Sequence, residues 1–168
     1  RLGYGVSSAT TVEILTTLAN TSLSCVPPFT QYAGIAAMLG DGAVRDDRMA
    51  DFRRKVALLV TALNQLDDFS CMMPKGTFYV FPSVKVICNR YRITSHGLAL
   101  FLLEAADDDY GVACLGGECF GEAGGGFLRL SCAEPDSCLQ EAVAFIGDGV
   151  KRVTRIEKYL ELHPEYRL

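Results

Sequence analysis

The stretch FLRLSCAEP, Phe127–Pro135, follows three glycines at 124–126 and decides how the rest of the chain reads. Phe127, Leu128, Leu130 and Cys132 predict a strand bound for a dry interior. Arg129 sits in the middle of it. An unpaired buried charge costs several kcal/mol, so its side chain must meet solvent, an internal carboxylate or a ligand anion. Two readings fit. The strand lies at an edge and Arg129 faces water, or the planar fork holds a small carboxylate through two parallel hydrogen bonds. The glycines favour the second, because residues without side chains let a ligand or another backbone come close.

Working outward, Gly116–Gly126 reads as a glycine-rich loop and Gly111–Leu115 as a short strand. Pro135 opens a final helix with Leu139, Val143, Ile146, Val150 and Val153 on its inner side, predicted to run as far as Leu160. Upstream, Gly97–Ala106 predicts a helix, with Asp107–Asp109 in the loop after it, since three acids disfavour a helix C-terminus. Strands are expected near Phe69–Met72 and over Thr77–Phe81, joined by the turn Pro74-Lys75-Gly76.

The first third has a different grammar. Residues 10–20 predict a short helix. Pro27 and Pro28 suit the first turn of a second helix over FTQYAGIAAML, which Gly40 and Gly42 end. Met49, Phe52, Val56, Leu59, Leu63 and Leu66 mark a long helix from Val44 to Leu66, about 33 Å at 1.5 Å per residue. The expected division is 1–42 as the end of a larger domain, 43–67 as a connecting helix and 68–168 as a small α+β domain, with an antiparallel-rich sheet and helices on one face.

The 168 residues carry a net charge of −4 with no dense basic stripe, which argues against a nucleic-acid partner. The longest apolar run, Leu98–Leu103, is too short to cross a membrane. Seven cysteines without a C-x-x-C pair suggest free thiols in a reducing cytoplasm. The loop GGECFGEAGGG lacks the lysine of a phosphate-binding P-loop. Cys114 and Cys119 have no nearby histidine to complete a metal set. The opening RLGYG, without Met, suggests a sequence that starts partway through a longer protein.

Five motifs in order carry a resemblance: RLGYG, PPFTQYAGIAAMLGD, MPKGTFYVFP, CLGGECFG and GGGFLRLSCA. Together they resemble the C-terminal part of a class I/II aminotransferase, a fold-type-I enzyme dependent on pyridoxal 5'-phosphate. The resemblance implies that the chain combines the last helices of the large domain with the small C-terminal domain. It implies a reaction that transfers an amino group between an amino acid and a 2-oxo acid, in a homodimer. By the same resemblance, Arg1 binds the cofactor phosphate and Arg129 clamps the substrate α-carboxylate. Gly76 and Phe78 belong to a strand that approaches the same pocket. The segment Cys25–Pro28 matches one that reaches toward the partner's active site, but it is less polar than that role usually requires.

The sequence departs from the family pattern in three places. Gly116-Gly117 replaces a Pro-Gly pair, which predicts a more mobile loop. Cys132 stands where a tyrosine is common. The family's Schiff-base lysine falls before Arg1, and Lys55, Lys75, Lys85, Lys151 and Lys158 all lie outside the required context. No catalytic residue is therefore assigned, and the chain alone is expected to be inactive. The alternatives are a non-catalytic α+β binding module, or a fold-type-I lyase or regulator domain.

Overall fold

The computed structural model describes residues 2–40 and 42–168. Arg1, expected to bind a phosphate, lies outside the described residues. The chain divides into two units, Arg1–Asp47 and Arg48–Leu168.

The first unit holds α1 (Ala9–Ser22) and α2 (Pro28–Leu39). Ser8 caps α1, its side-chain oxygen accepting from the Thr11 N–H. Pro28 opens α2 at a position where a missing N–H costs nothing. Neither helix has a buried residue. The apolar side chains of Leu15, Leu18, Phe29, Ile35 and Met38 all stand exposed. The connecting helix α3 (Ala43–Leu63) begins here and runs mostly in the second unit. Of its expected stripe, Val56, Leu59 and Leu63 are buried there together with Val60, Phe52 and Leu66 are partly buried, and Met49 is exposed.

The second unit is built on a three-stranded antiparallel sheet of order β1-β3-β2: β1 (Tyr79–Val80), β2 (Leu115–Gly116) and β3 (Leu128–Ser131). Tyr79 pairs with Ser131 and Val80 with Leu130 on one side of β3. Leu115 pairs with Arg129 and Gly116 with Leu128 on the other. Side chains alternate across a strand with a period of two. Val80, Leu128 and Leu130 thus enter the core, with Ile87 and Cys88 of α4 (Lys85–Tyr91) and Leu98, Phe101 and Leu102 of α5 (Ser95–Glu104). Leu139, Val143 and Ile146 of α6 (Asp136–Gly149) and Ile156 and Leu160 of α7 (Val153–Leu162) complete it. This antiparallel sheet with helices over its buried face is the α+β architecture expected from the sequence.

Several elements differ from expectation. The strand over Thr77–Phe81 shortens to two residues, because Thr77 takes a positive φ of 69° that breaks extended backbone. The strand near Phe69–Met72 is a single bridge between Ser70 and Ser83. The final helix is two helices broken at Val150–Arg152. At the break the Arg152 guanidinium donates to the Ala106 carbonyl and, at 2.6 Å, to the Asp107 carboxylate. The Tyr91 hydroxyl donates to the Val150 carbonyl at 2.9 Å. These long-range hydrogen bonds take the place of continued helix. The helix α4 was not foreseen.

Asp107–Asp109 lies in a loop as expected, where Arg152 pairs with Asp107 and Arg155 with Asp108. The Arg152 hydrogen bond holds the Asp107 carboxyl well below the ordinary 3.8, at about 2. A carboxyl depressed in the folded state adds stability above its unfolded value and loses it as pH falls through the folded one. Urea midpoints are therefore expected to fall as pH drops from 3.8 toward about 2. The substitution Asp107→Asn is expected to flatten that slope, and an unchanged slope would show that this pair does not couple to folding.

Candidate active-site face of the sheet

Because Leu128 and Leu130 point inward, Arg129 and Ser131 point to the opposite face of the sheet. The guanidinium carbon of Arg129 lies 4.4 Å from the centre of the Tyr79 ring and 4.8 Å from that of Phe120. Two aromatic rings thus hold one planar cation, each through its negative π face. Phe120 is itself edge-on to Phe81, with centroids 6.1 Å apart, and Phe81 stacks on Phe127 at 5.2 Å.

Arg129 is half-buried, yet no carboxylate or carbonyl among the described residues meets it. Its neighbours in the chain behave otherwise. Arg54, Arg90, Arg152 and Arg155 each reach an aspartate. β3 is the central strand, not an edge, and Arg129 lies partly buried against two rings. Beside it lies an open cavity of about 320 Å³ lined by Tyr79, Ala113, Cys114, Leu115, Arg129 and Ser131. A planar donor fork with its hydrogen-bonding edge free, at the rim of such a cavity, is suited to a small organic acid.

The other residues singled out in the sequence lie differently. Phe78 packs its ring 5.4 Å from Phe52 of α3 and 4.4 Å from Tyr79, and its carbonyl accepts from the Cys132 N–H at 2.8 Å. Tyr79, not Phe78, is the β1 aromatic that meets Arg129. Gly76 is exposed in a bend with open space where a Cβ would stand. Tyr79 and Phe120 were legible only as aromatic residues near the motif, and their shared contact is tertiary. Cys132, in place of the common tyrosine, is fully buried behind the sheet.

The glycine-rich loop is closely tied down. It forms two 3₁₀ turns, Gly117–Phe120 and Glu122–Gly124. The Gly117 N–H donates to the Phe127 carbonyl at 2.7 Å. A Cβ on Gly116 would run into the His96 backbone, and Gly126 adopts a φ of +79° that disfavours other residues. The absence of a Pro-Gly pair is offset by this close backbone packing.

The donor set around the cavity fits the acid end of a substrate. No lysine lines it, so groups able to anchor an aldehyde cofactor are not part of this lining. Among the described residues no helix is long and apolar enough to cross a membrane.

The aminotransferase class I and II family profile matches residues 1–146. The chain belongs to this family. It is 29% identical over 160 residues to an aspartate aminotransferase of Rhizobium meliloti, covering 92% of this chain and 38% of that protein. Among solved structures it resembles the aromatic aminotransferase from Pyrococcus horikoshii OT3, with a TM-score of 0.72 and 26% identity over 89% of this chain and 38% of that one. Cystalysin from Treponema denticola, solved with pyridoxal 5'-phosphate, shares the fold at a TM-score of 0.69 and 16% identity, over 87% of this chain and 36% of its own. The chain thus spans a little over a third of the length of the curated relative and of the solved enzymes it matches. Its fold is that of the C-terminal part of the fold-type-I aminotransferases.

Burial pushes the Cys114 and Cys132 thiols up to about 11 and Cys88 up to about 12. The thiolate is the reacting form. At neutral pH, native alkylation is expected to label exposed Cys119 and Cys138 well before Cys71, Cys88, Cys114 and Cys132. Peptide mapping after a short pulse of iodoacetamide tests this, and early labelling of Cys132 would contradict the core described above.

Proposed function

We propose that this chain is the C-terminal portion of a pyridoxal-phosphate-dependent aminotransferase, and that Arg129 binds the α-carboxylate of its amino-acid and 2-oxo-acid substrates. The observation that carries the reading is the half-buried guanidinium, held between Tyr79 and Phe120 and left without an acid partner among the described residues. Family membership supports the reaction class. Residues 1–42 are read as the end of the large domain, 43–67 as the connecting helix and 68–168 as the small domain. The unburied helices α1 and α2 support the first of these. The complete enzyme is read as a cytoplasmic homodimer.

In this reading the residues of the chain bind and orient. Arg129 donates two parallel hydrogen bonds to a carboxylate, fixing both its position and its plane. The rings of Tyr79 and Phe120 hold the guanidinium plane, so less freedom is lost when the acid binds. With the carboxylate fixed, the substrate Cα–H is placed within reach of a base supplied by the upstream sequence. Pyridoxal phosphate, when bound, would supply an electron sink for the electron pair left on Cα when the proton passes to the base. Arg1 is the residue of this chain read as binding its phosphate, and Gly76 and Phe78 are read, with Arg129, as substrate-binding residues of the complete enzyme.

Two measurements test the proposal. In the complete protein, Arg129→Ala is expected to raise KM and lower kcat/KM for the amino donor by roughly 100-fold, the loss of about 3 kcal/mol from charge-assisted hydrogen bonds. Arg129→Lys, which keeps charge but loses the fork, is expected to recover only part of this. Unchanged kinetics would remove Arg129 from the site. The complete protein is also expected to show a visible cofactor absorption band that borohydride abolishes, whereas this chain alone shows none. A complete protein that binds no cofactor would overturn the enzyme reading.

A further inference from the structure

The guanidinium of Arg129 owes one of its two flanking rings to the glycine-rich loop, and the Glu118 side chain ties that loop to α5 beside a longer contact between Cys119 Sγ and His96 Nδ1 at 3.9 Å. Glu118 lies two residues before Phe120. Its Oε1 accepts from the Ser95 N–H at 2.8 Å and its Oε2 from the Ser95 hydroxyl at 2.5 Å. The Ser95 oxygen in turn accepts from the Gly126 N–H at 3.0 Å. One buried serine therefore joins the first turn of the loop to its last residue. Ser95 is 1% exposed, and it is the buried polar side chain of the described core. It stands in the first turn of α5, directly after the cap Thr94, whose Oγ1 accepts from the Gly97 N–H at 3.0 Å. The carboxylate thus meets the Ser95 N–H at the positive end of a ten-residue helix.

This arrangement constrains Phe120. The chain between Glu118 and Phe120 is one 3₁₀ turn, and the Gly121 N–H donates back to the Glu118 carbonyl at 3.1 Å. With Glu118 fixed to α5 and Gly117 to Phe127, the turn has no free end to swing on. Phe120 is itself half exposed, at 52%, so burial alone does not hold its ring over Arg129. We infer that Glu118 is a positioning residue: through its double hydrogen bond to Ser95 it sets the loop so that Phe120 covers Arg129 and aims the free edge of the guanidinium at the substrate carboxylate. The inference rests on the proposed role of Arg129. It assigns to Glu118 no contact with substrate or cofactor.

The test uses the complete protein and compares Glu118→Ala, Glu118→Gln, Phe120→Ala, the double variant Glu118→Ala with Phe120→Ala, and Arg129→Ala. All are assayed well below their melting temperatures. Glu118→Ala is expected to raise KM for the amino donor roughly tenfold, with a smaller fall in kcat. Glu118→Gln keeps an acceptor for the Ser95 N–H and is expected to recover most of the loss. Because Glu118 acts through Phe120, the double variant is expected to be no worse than the weaker of the two single variants. A purely structural clasp would instead lower the melting temperature and leave KM unmoved. The inference is overturned if Arg129→Ala raises KM while Glu118→Ala does not, or if the Glu118 and Phe120 effects add. If Arg129→Ala is itself without effect, the carboxylate role falls, and the positioning role of Glu118 falls with it.

Discussion

Leu128 and Leu130 are forced into the core by the free energy of removing their side chains from water, about 2 kcal/mol each. The two-residue period of a strand then leaves Arg129 and Ser131 to the opposite face. No local feature of the arginine chooses this placement. The strand is central, pinned on one side by Tyr79 and Val80 and on the other by Leu115 and Gly116, so a slip in register would bury the charge and expose both leucines. The cost of that error fixes the register, and the register puts a guanidinium at the centre of an open sheet face.

Once there, the charge must be accommodated. Arg152 and Arg155, which are also partly buried, are each neutralised by an aspartate. At Arg129 the surroundings supply π faces instead. Rings attract the cation through their π faces and offer it no carboxylate or carbonyl oxygen. An internal carboxylate would have satisfied the group and closed the site. Two aromatic neighbours make the side chain tolerable without a ligand and still receptive to one.

The helices other than the seven-residue α4 were legible from an apolar 3.6-residue period, as in Val56, Leu59 and Leu63 of α3. The central strand was legible from its alternation, and the arginine from standing where alternation did not explain it. The short strands were read too long. Thr77 at φ 69° is a backbone choice enforced by the surrounding fold, and nothing in TFYVF signals it. The break between α6 and α7 depends on Arg152 reaching residues 106 and 107, more than forty positions away. The same holds at the site. Phe78 has the composition expected of a pocket residue, but Tyr79 has the position, and only the pairing of β1 with β3 separates them.

The glycine-rich loop shows how a fold can replace one restraint with another. A proline would stiffen such a turn by fixing φ and reducing the freedom of the unfolded chain. Gly116 and Gly117 do neither, and by composition alone the loop should move. The structure restrains it from outside: Gly116 lies against the backbone of α5, Gly117 is bonded to Phe127, and Glu118 is bonded twice to Ser95. The proline of the Pro-Gly pair would fall at position 116, where a Cβ would lie only 2.4 Å from the His96 backbone, so a side chain there could not approach α5 so closely. The glycines are therefore what allow the clasp to form. Rigidity at Phe120 comes from the contacts that small residues permit, and it is spent where a flat cation needs a ring held at a fixed height.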